Sequence, residues 1–300
     1  APDGSWLASA SGDRFTVGEV RIWNPTTGAA RHTLTAHTNG VTALVVAPDG
    51  SWLASASGDR FTVGEVRIWN PTTGAARHTL TGHTNGVTAL VVAPDGSWLA
   101  SASGDISKMF PVGEVRVWNP ASGAARHTLT GYTSGVRALV VAPDGSWLAS
   151  ADWNGEVQVW DPTSGAARHT FTGHTSWVSA LAVAPDGSWL ASADEAGEVR
   201  IWDPTTGTAR HTLTGHTDGV TALVVAPDGS WLASASGDPE NKKTGEVRIW
   251  DPTTGTLVTS LRVAGRLFHL ALAATTITAA GEHGPYFLAL CPGTGFEQDA

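Results

Sequence analysis

The sequence predicts an all-β chain assembled from repeated four-stranded units, and three observations carry that prediction. The segment APDGSWLAS recurs along the chain, the residues between its copies read as short strands, and the composition suits strands and turns. Gly (35), Pro (16) and Trp (14) abound, whereas there is one Met and few Lys to support helices. Hydrophobic residues make up 41% and charged residues 15%, enough for a buried core and unlike a disordered chain.

The copies begin at Ala1, Ala47, Ala93, Ala142, Ala184 and Ala226, spaced by 46, 46, 49, 42 and 42 residues. The excess over the shortest spacing always falls between an Asp and the next Gly-Glu-Val. The two short repeats carry Trp153-Asn154 and Glu195-Ala196 there; the long ones carry Arg14–Val17, Arg60–Val63, Ile106–Val112 and Pro239–Thr244.

Within each unit the first strand is Val-Thr-Ala-Leu-Val-Val (Val41–Val46 and its copies), a nearly continuous apolar run suited to burial on both faces. Ala-Pro-Asp-Gly makes a tight turn, because Pro presets φ, Asp bonds its own backbone and Gly accepts positive φ. The second strand is Ser5–Ala10 and its copies, followed by the variable loop. The third, Glu19–Trp23, alternates polar and apolar with period two. Asn/Asp-Pro-Thr-Thr-Gly turns the chain into Ala30–Thr35, a strand polar enough for an outer edge.

These units resemble WD40 repeats, which run to about 40–45 residues and carry Gly-His and Trp-Asp. The Gly-His copies are Gly82-His83, Gly173-His174 and Gly215-His216, with Ala36-His37 and Gly131-Tyr132 as variants. The Trp-Asp copies are Trp160-Asp161, Trp202-Asp203 and Trp250-Asp251, with Trp-Asn at Trp23, Trp69 and Trp118. The resemblance implies a single seven-bladed β-propeller of four-stranded antiparallel blades over residues 1–300. Six clear repeats fill 1–262, a degenerate seventh blade fills 263–292, and 293–300 is a tail. In that last blade Leu267–Ala273, Thr275–Ala280 and Tyr286–Cys291 read as first, second and third strands. The expected total is about 26 strands of a full 28, with the first and last blades incomplete.

The resemblance also explains much of the repeated chemistry. In such proteins the Gly-His histidine, a second-strand Ser, the third-strand Trp and an Asp form a buried hydrogen-bond network. That role falls on His37, His83, His174 and His216 and on the tryptophans above. The Asp expected before the turn Gly is missing, the aligned residues being Val17, Val63, Val112, Asn154, Ala196 and Thr244; Asp13, Asp59, Asp105, Asp152, Asp194 and Asp238 are the candidate substitutes. A second set, His32, His78, His127, His169 and His211, falls one to a blade on the outer strand and cannot converge on one ion. No metal and no cofactor are expected.

Nor is an enzyme expected. Ser and His are copied around the repeat instead of standing once beside a base and an orienting acid. No Gly-x-Ser-x-Gly elbow, phosphate-binding loop or HExxH occurs. A net charge of −9 and only three lysines (Lys108, Lys242, Lys243) argue against nucleic acid. The longest apolar runs, such as Ala43–Ala47 and Leu267–Ala274, are too short to span a bilayer. The single Cys291, in an apolar run, and the lack of a secretory signal pattern give a cytoplasmic expectation. The chain opens mid-repeat and its only methionine is Met109, so it reads as a piece of a longer protein.

Binding is expected where the copies differ. Every length insertion in the clear repeats lies in the loop between the second and third strands, which in WD40-like proteins shares a face with the Gly-His loop. The inserted residues include Phe15, Phe61, Met109, Phe110 and Pro111. Trp153 and Trp177 are unique departures, Trp177 replacing the Gly of Gly40, Gly86, Gly135 and Gly219, and the register makes the two tryptophans neighbours. Tyr132 replaces a His and Arg137 a Thr. Aromatics and Arg on one rim suit an interface hot spot. The competing reading folds these aromatics over neighbouring loops as a cap. Glu19, Glu65, Glu114, Glu156, Glu198 and Glu246 are expected to ring the same face, favouring a basic or neutral partner.

The expected function is a non-catalytic module holding a protein or peptide, with no nucleic acid and no membrane involved; the alternative is a structural or oligomerising ring. The near-identical units and degenerate last blade resemble the C-terminal propellers of bacterial apoptosome-like signalling NTPases, which implies an NTPase or kinase domain upstream.

Overall fold

A computed structural model describes residues 1–12, 17–58, 62–104, 113–237, 244–273, 276–282, 284–291 and 295–298. The strands group into seven antiparallel sheets in chain order. The first sheet holds β1 (Leu7–Ser11), β2 (Glu19–Trp23) and β3 (Ala30–Leu34). The second holds β4 (Val41–Val46), β5 (Leu53–Ser57), β6 (Glu65–Trp69) and β7 (Ala76–Leu80). The third holds β8 (Val87–Val92), β9 (Leu99–Ser103), β10 (Glu114–Trp118) and β11 (Ala125–Leu129). The fourth holds β12 (Val136–Val141), β13 (Leu148–Asp152), β14 (Val157–Trp160) and β15 (Ala167–Phe171). The fifth holds β16 (Val178–Val183), β17 (Leu190–Asp194), β18 (Val199–Asp203) and β19 (Thr208–Leu213). The sixth holds β20 (Val220–Val225), β21 (Leu232–Gly237), β22 (Thr244–Asp251) and β23 (Thr256–Ala264). The seventh holds β24 (Leu267–Ala273), β25 (Thr276–Gly281), β26 (Gly284–Cys291) and β27 (Gly295–Gln298). This is the strand grouping of a seven-bladed propeller.

The chain separates into two compact units, 1–153 with 160–168, and 154–159 with 169–300. In both, the turns behave as their residues require. Gly50 takes φ +71° and donates to Ala47 O at 2.8 Å, closing the Ala-Pro-Asp-Gly turn, while Asp49 Oδ1 accepts from Ser51 N.

Two expectations need correction. The first strand of each unit is only partly buried, as at β4, whereas β5, reading Leu-Ala-Ser-Ala-Ser, is buried at every residue. The reason is position: β4 forms one edge of its sheet, while β5 has a strand on each side and small residues that admit close neighbours. The first sheet has three strands, as expected, but the seventh has four, because Gly295–Gln298 in the supposed tail pairs with β26. That strand lacks the Ala-Arg-His-Thr-Leu pattern, and backbone pairing does not need it.

The outer-strand histidines hold blades together. His32 Nε2 meets Thr72 O at 2.9 Å, and His78 meets Ala121 O at 3.0 Å, in the next blade's turn. His127 reaches Thr163 O, His169 reaches Thr205 O and His211 reaches Thr253 O in the same way. The turn glycine makes room: a Cβ on Gly74 would stand 2.9 Å from His32 Nδ1, and its φ of +73° disfavours a side chain in any case. The inner strands add a second link. The first strands bulge after their leading residue, a Val in β4 and β8, and the bulged Thr42 and Thr88 donate to Val87 O and Val136 O of the next blade at 2.6 Å.

Candidate functional site

The repeated His, Ser and Trp form a buried network. Trp69 Nε1 donates to Ser55 Oγ at 2.8 Å, and Ser55 Oγ lies 2.5 Å from His37 Nε2. His37 Nδ1 faces Glu65 Oε1 at 3.1 Å. A carboxylate only accepts, so the ring proton sits on Nδ1 and Ser55 donates to Nε2. The third blade repeats this with His83, Ser101, Trp118 and Glu114, and Ser103 Oγ adds a contact at 2.9 Å. The sixth uses His216, Ser234, Trp250 and Ser236, with Glu246 at 3.4 Å. Burial holds His216 down at about 4, against the pull of Glu246, and holds His37 below its ordinary value too.

The missing Asp is therefore replaced mainly by the Glu that begins the third strand. Only in the fifth blade does one of the anticipated aspartates serve among the described residues: His174 Nδ1 bonds Asp194 Oδ2 at 3.1 Å, with Glu198 Oε1 at 3.7 Å. Asp194 is held below the carboxylate range by its bond to His174 and by the backbone N–H groups of Glu198 and Ala196, which outweigh burial. Asp13, Asp59, Asp105 and Asp238 lie outside the described residues. His174, Asp194 and Glu198 form a compact His/Asp/Glu group with the spacing of metal ligands. Each ligand atom already has a protein partner, Glu198 pairing with Arg200, so the network accounts for the group.

The acidic ring expected on one face does not stand free. Period-two spacing puts Glu, Arg and Trp side by side along the third strand. Glu65 pairs with Arg67 at 2.8 Å, Glu114 with Arg116 at 3.1 Å and Glu246 with Arg248 at 2.9 Å, and Glu114 and Glu246 are buried. The guanidiniums of Arg116 and Arg248 lie over Trp118 and Trp250 at 5.9 and 5.7 Å. The Gly of Gly-His is favoured by its backbone, Gly82 and Gly173 taking φ +133° and +137°, with the guanidinium of Arg116 or Arg200 close beside it. With these carboxylates neutralised locally, the argument for a basic partner loses its basis.

The fourth blade breaks the pattern at several coupled positions. Tyr132 is buried, its hydroxyl 2.6 Å from Ser150 Oγ, which also accepts from Trp160 Nε1 at 2.9 Å. It fills the place of the histidine and belongs to the scaffold, so its expected binding role is withdrawn; burial pushes its phenol up. Gln158 replaces the arginine, and a Cβ on Gly131 would accordingly meet nothing within 4 Å. Arg137 occupies the bulge position of Thr42 and Thr88, is exposed, and places its guanidinium over the ring of half-buried Trp153 at 5.1 Å.

Trp153 lies in a short loop. In two of the long repeats the equivalent Gly12 and Gly58 leave the strand at φ +120° and +128°, whereas in the other two Gly104 and Gly237 take no positive φ. In the short repeats a tight turn with Gly155 or Gly197 at φ +83° or +88° makes the reversal, freeing the preceding position for a side chain. Trp153 N still donates to Gly135 O at 3.1 Å, and in the fifth blade Glu195 N donates to half-buried Trp177 O at 3.2 Å. Phe15, Phe61, Met109, Phe110, Pro111, Lys108, Lys242 and Lys243 lie outside the described residues. A cleft of about 270 Å³ beside Asp186, Arg210, His211 and Asp228 is lined by residues copied in other blades, and so has no unique chemistry.

A family profile for the WD domain, G-beta repeat, matches residues 28–62, 74–106, 123–161, 165–203 and 207–251, well over half of the chain. The chain belongs to the WD40 repeat family. No curated protein sequence matches it. WD40 repeats mark protein-interaction or scaffold modules, and WD40 propellers are generally non-catalytic. Among the described residues no helix is long and apolar enough to cross a membrane. The sequence of this WD40 chain placed Arg137 and Trp153 on one rim; that Arg137 sits on a bulge, with its guanidinium over Trp153, needed the strand register.

Proposed function

We propose that this WD40 module holds a protein or peptide on the end of its blades that carries the second-to-third-strand loops, centred on the fourth blade. The observation that carries this reading is the exposed Arg137 guanidinium stacked on Trp153, since both residues depart from a repeat that is otherwise copied closely. An Arg held over an aromatic face at the surface has the composition of an interface anchor. Trp177 is added because it too departs from the repeat, standing where other copies carry Gly. Phe15, Phe61, Met109 and Phe110 extend the reading by sequence alone. A place downstream of an NTPase or kinase domain in a larger cytoplasmic signalling protein rests only on resemblance.

The test replaces each irregular residue by one that other blades tolerate: Arg137→Thr, Trp153→Glu and Trp177→Gly. Proteins crosslinked to the natural chain and lost from the triple variant, at equal thermal stability, support the reading. An unchanged set of captured proteins refutes it.

A further inference from the structure

The outer strands of the second to fifth blades carry an arginine with a repeated task. Arg77, Arg126 and Arg210 donate to the carbonyls of Ser51, Ser97 and Ser188 at 2.8, 2.7 and 2.7 Å. Where Asp follows the third-strand Trp, the arginine meets that carboxylate: Arg168 reaches Asp161 Oδ2 at 2.9 Å and Arg210 reaches Asp203 Oδ2 at 2.7 Å. The charge of Arg210 also acts on Asp186, in the turn before the second strand. The sixth blade keeps the acceptors and drops the donor. Val258 stands where Arg210 does, each being the extra residue of a bulge, with Leu257 opposite Trp250 as Ala209 is opposite Trp202. Asp251 is turned as Asp203 is, its Oδ1 accepting from Thr253 N at 2.8 Å as Asp203 Oδ1 does from Thr205 N at 2.9 Å. Among the described residues neither Asp251 Oδ2 nor Ser230 O receives a side-chain donor. The arginines hold Asp161 and Asp203 down at about 2, whereas Asp251 is lowered chiefly by the Thr253 N–H. Apolar surface replaces the lost charge: Val258 is 62% exposed, Leu257 is 43% exposed, and Trp231 is half-buried where its counterpart Trp189 is buried. Charge on an edge strand deters pairing with other chains, and here it is missing.

We infer that the outer edge of β23 docks an extended segment of a partner protein that carries an arginine between apolar residues. The guanidinium takes the place emptied by Val258, on Asp251 Oδ2 and Ser230 O beside Asp228, as Arg210 lies on Asp203 and Ser188 beside Asp186. The apolar neighbours cover Leu257 and Val258. The segment's backbone pairs with β23, which lies at the edge of its sheet. Charge complementarity selects arginine: Asp186 and Asp203 share one outer-strand cation, and the outer strand offers Asp228 and Asp251 none at that position. None of these residues belongs to the proposed Arg137–Trp153 site, so either can fail alone.

The probe is a peptide with blocked ends, Ser-Val-Thr-Leu-Arg-Val-Thr-Ser, carrying a fluorescent label and added to the intact chain. Affinity is read by fluorescence anisotropy and location by amide exchange at Thr256–Ala264. Saturable binding that slows exchange in β23 is expected. A peptide with citrulline for arginine, nearly the same shape without the charge, should bind about tenfold more weakly, the equivalent of one charge-assisted hydrogen bond. Asp251→Asn should weaken binding by a similar factor without unfolding the blade, since Asn70 and Asn119 occupy this position in other blades. Val258→Arg should abolish binding at unchanged thermal stability, because the blade then fills the place with its own guanidinium. Absence of binding, equal binding by the citrulline peptide, full binding to the Val258→Arg chain, or protection elsewhere than β23 would overturn the inference. So would exchange in β23 already fully slowed in the free chain, because another part of the chain would then cover the edge.

Discussion

Replacing His83 by Ala tests whether the repeated histidine is structural. The ring is 1% exposed and touches Ser101, Ser103 and Glu114 at 2.5, 2.9 and 2.9 Å, with Trp118 edge-on at 6.2 Å between ring centres. Ser103 and Glu114 share the single Nδ1 proton, so one contact to a carboxylate at about 1.5–3 kcal/mol and one neutral contact to Ser101 at about 1 kcal/mol are lost. The cavity left by the ring adds to this. The expected cost is about 3–5 kcal/mol. The matched control is Tyr132→Phe, which removes one hydroxyl contact and leaves Ser150 bonded to Trp160, for a cost of about 1 kcal/mol. Urea unfolding followed by tryptophan fluorescence compares the two, and amide exchange within the third blade guards against stepwise unfolding of the array. A His83→Ala cost below about 1 kcal/mol, or one no larger than that of Tyr132→Phe, would refute the buried-network account.

Other outcomes follow from the same contacts. His216, near 4 when folded and 6.5 in its ordinary state, is bound by fewer protons in the fold than in the unfolded chain over that interval, so stability is full above pH 6.5 and falls as pH drops toward 4. Its share is about 3 kcal/mol, and His216→Gln should flatten an unfolding-against-pH curve in that window. The depressed carboxyls of Glu114 and Asp194 act in the same direction at lower pH, since their stabilisation is lost as they protonate. His127→Ala removes one inter-blade bond to Thr163 O and should cost about 0.5–1.5 kcal/mol in a urea titration, with no change in bound zinc. Gly82→Ala forces a side chain into φ +133° and against Arg116, and should cost about 1–3 kcal/mol by thermal unfolding.

The strands were legible because the repeat superposes six readings of one pattern, and turn residues such as Ala47-Pro48-Asp49-Gly50 mark their ends. β27 was not, since Gly295–Gln298 has neither alternation nor repeat register. At the network, the sequence exposed the missing Asp but not its replacement. Glu65 and Glu114 are in strand rather than loop, and only the pairing of the third strand against the second brings them under the histidines. For the candidate site, substitution against the repeat flagged Arg137, Trp153 and Tyr132 equally. What separates them is burial: Tyr132 turns into the core beside Trp160, while Arg137 rides outward on a bulge. A sequence pattern records that a position differs, not which way its side chain faces.

The most direct measurement compares, for one protein retained by the natural chain, the dissociation constants of two variant sets of matched stability. If copied residues support and irregular ones bind, Arg137→Thr with Trp153→Glu should weaken binding by about tenfold to a hundredfold, the range of an interface anchor. His32→Ala with His127→Ala should leave the constant unchanged while lowering the unfolding midpoint. Binding lost in the histidine pair and kept in the arginine–tryptophan pair would contradict the account.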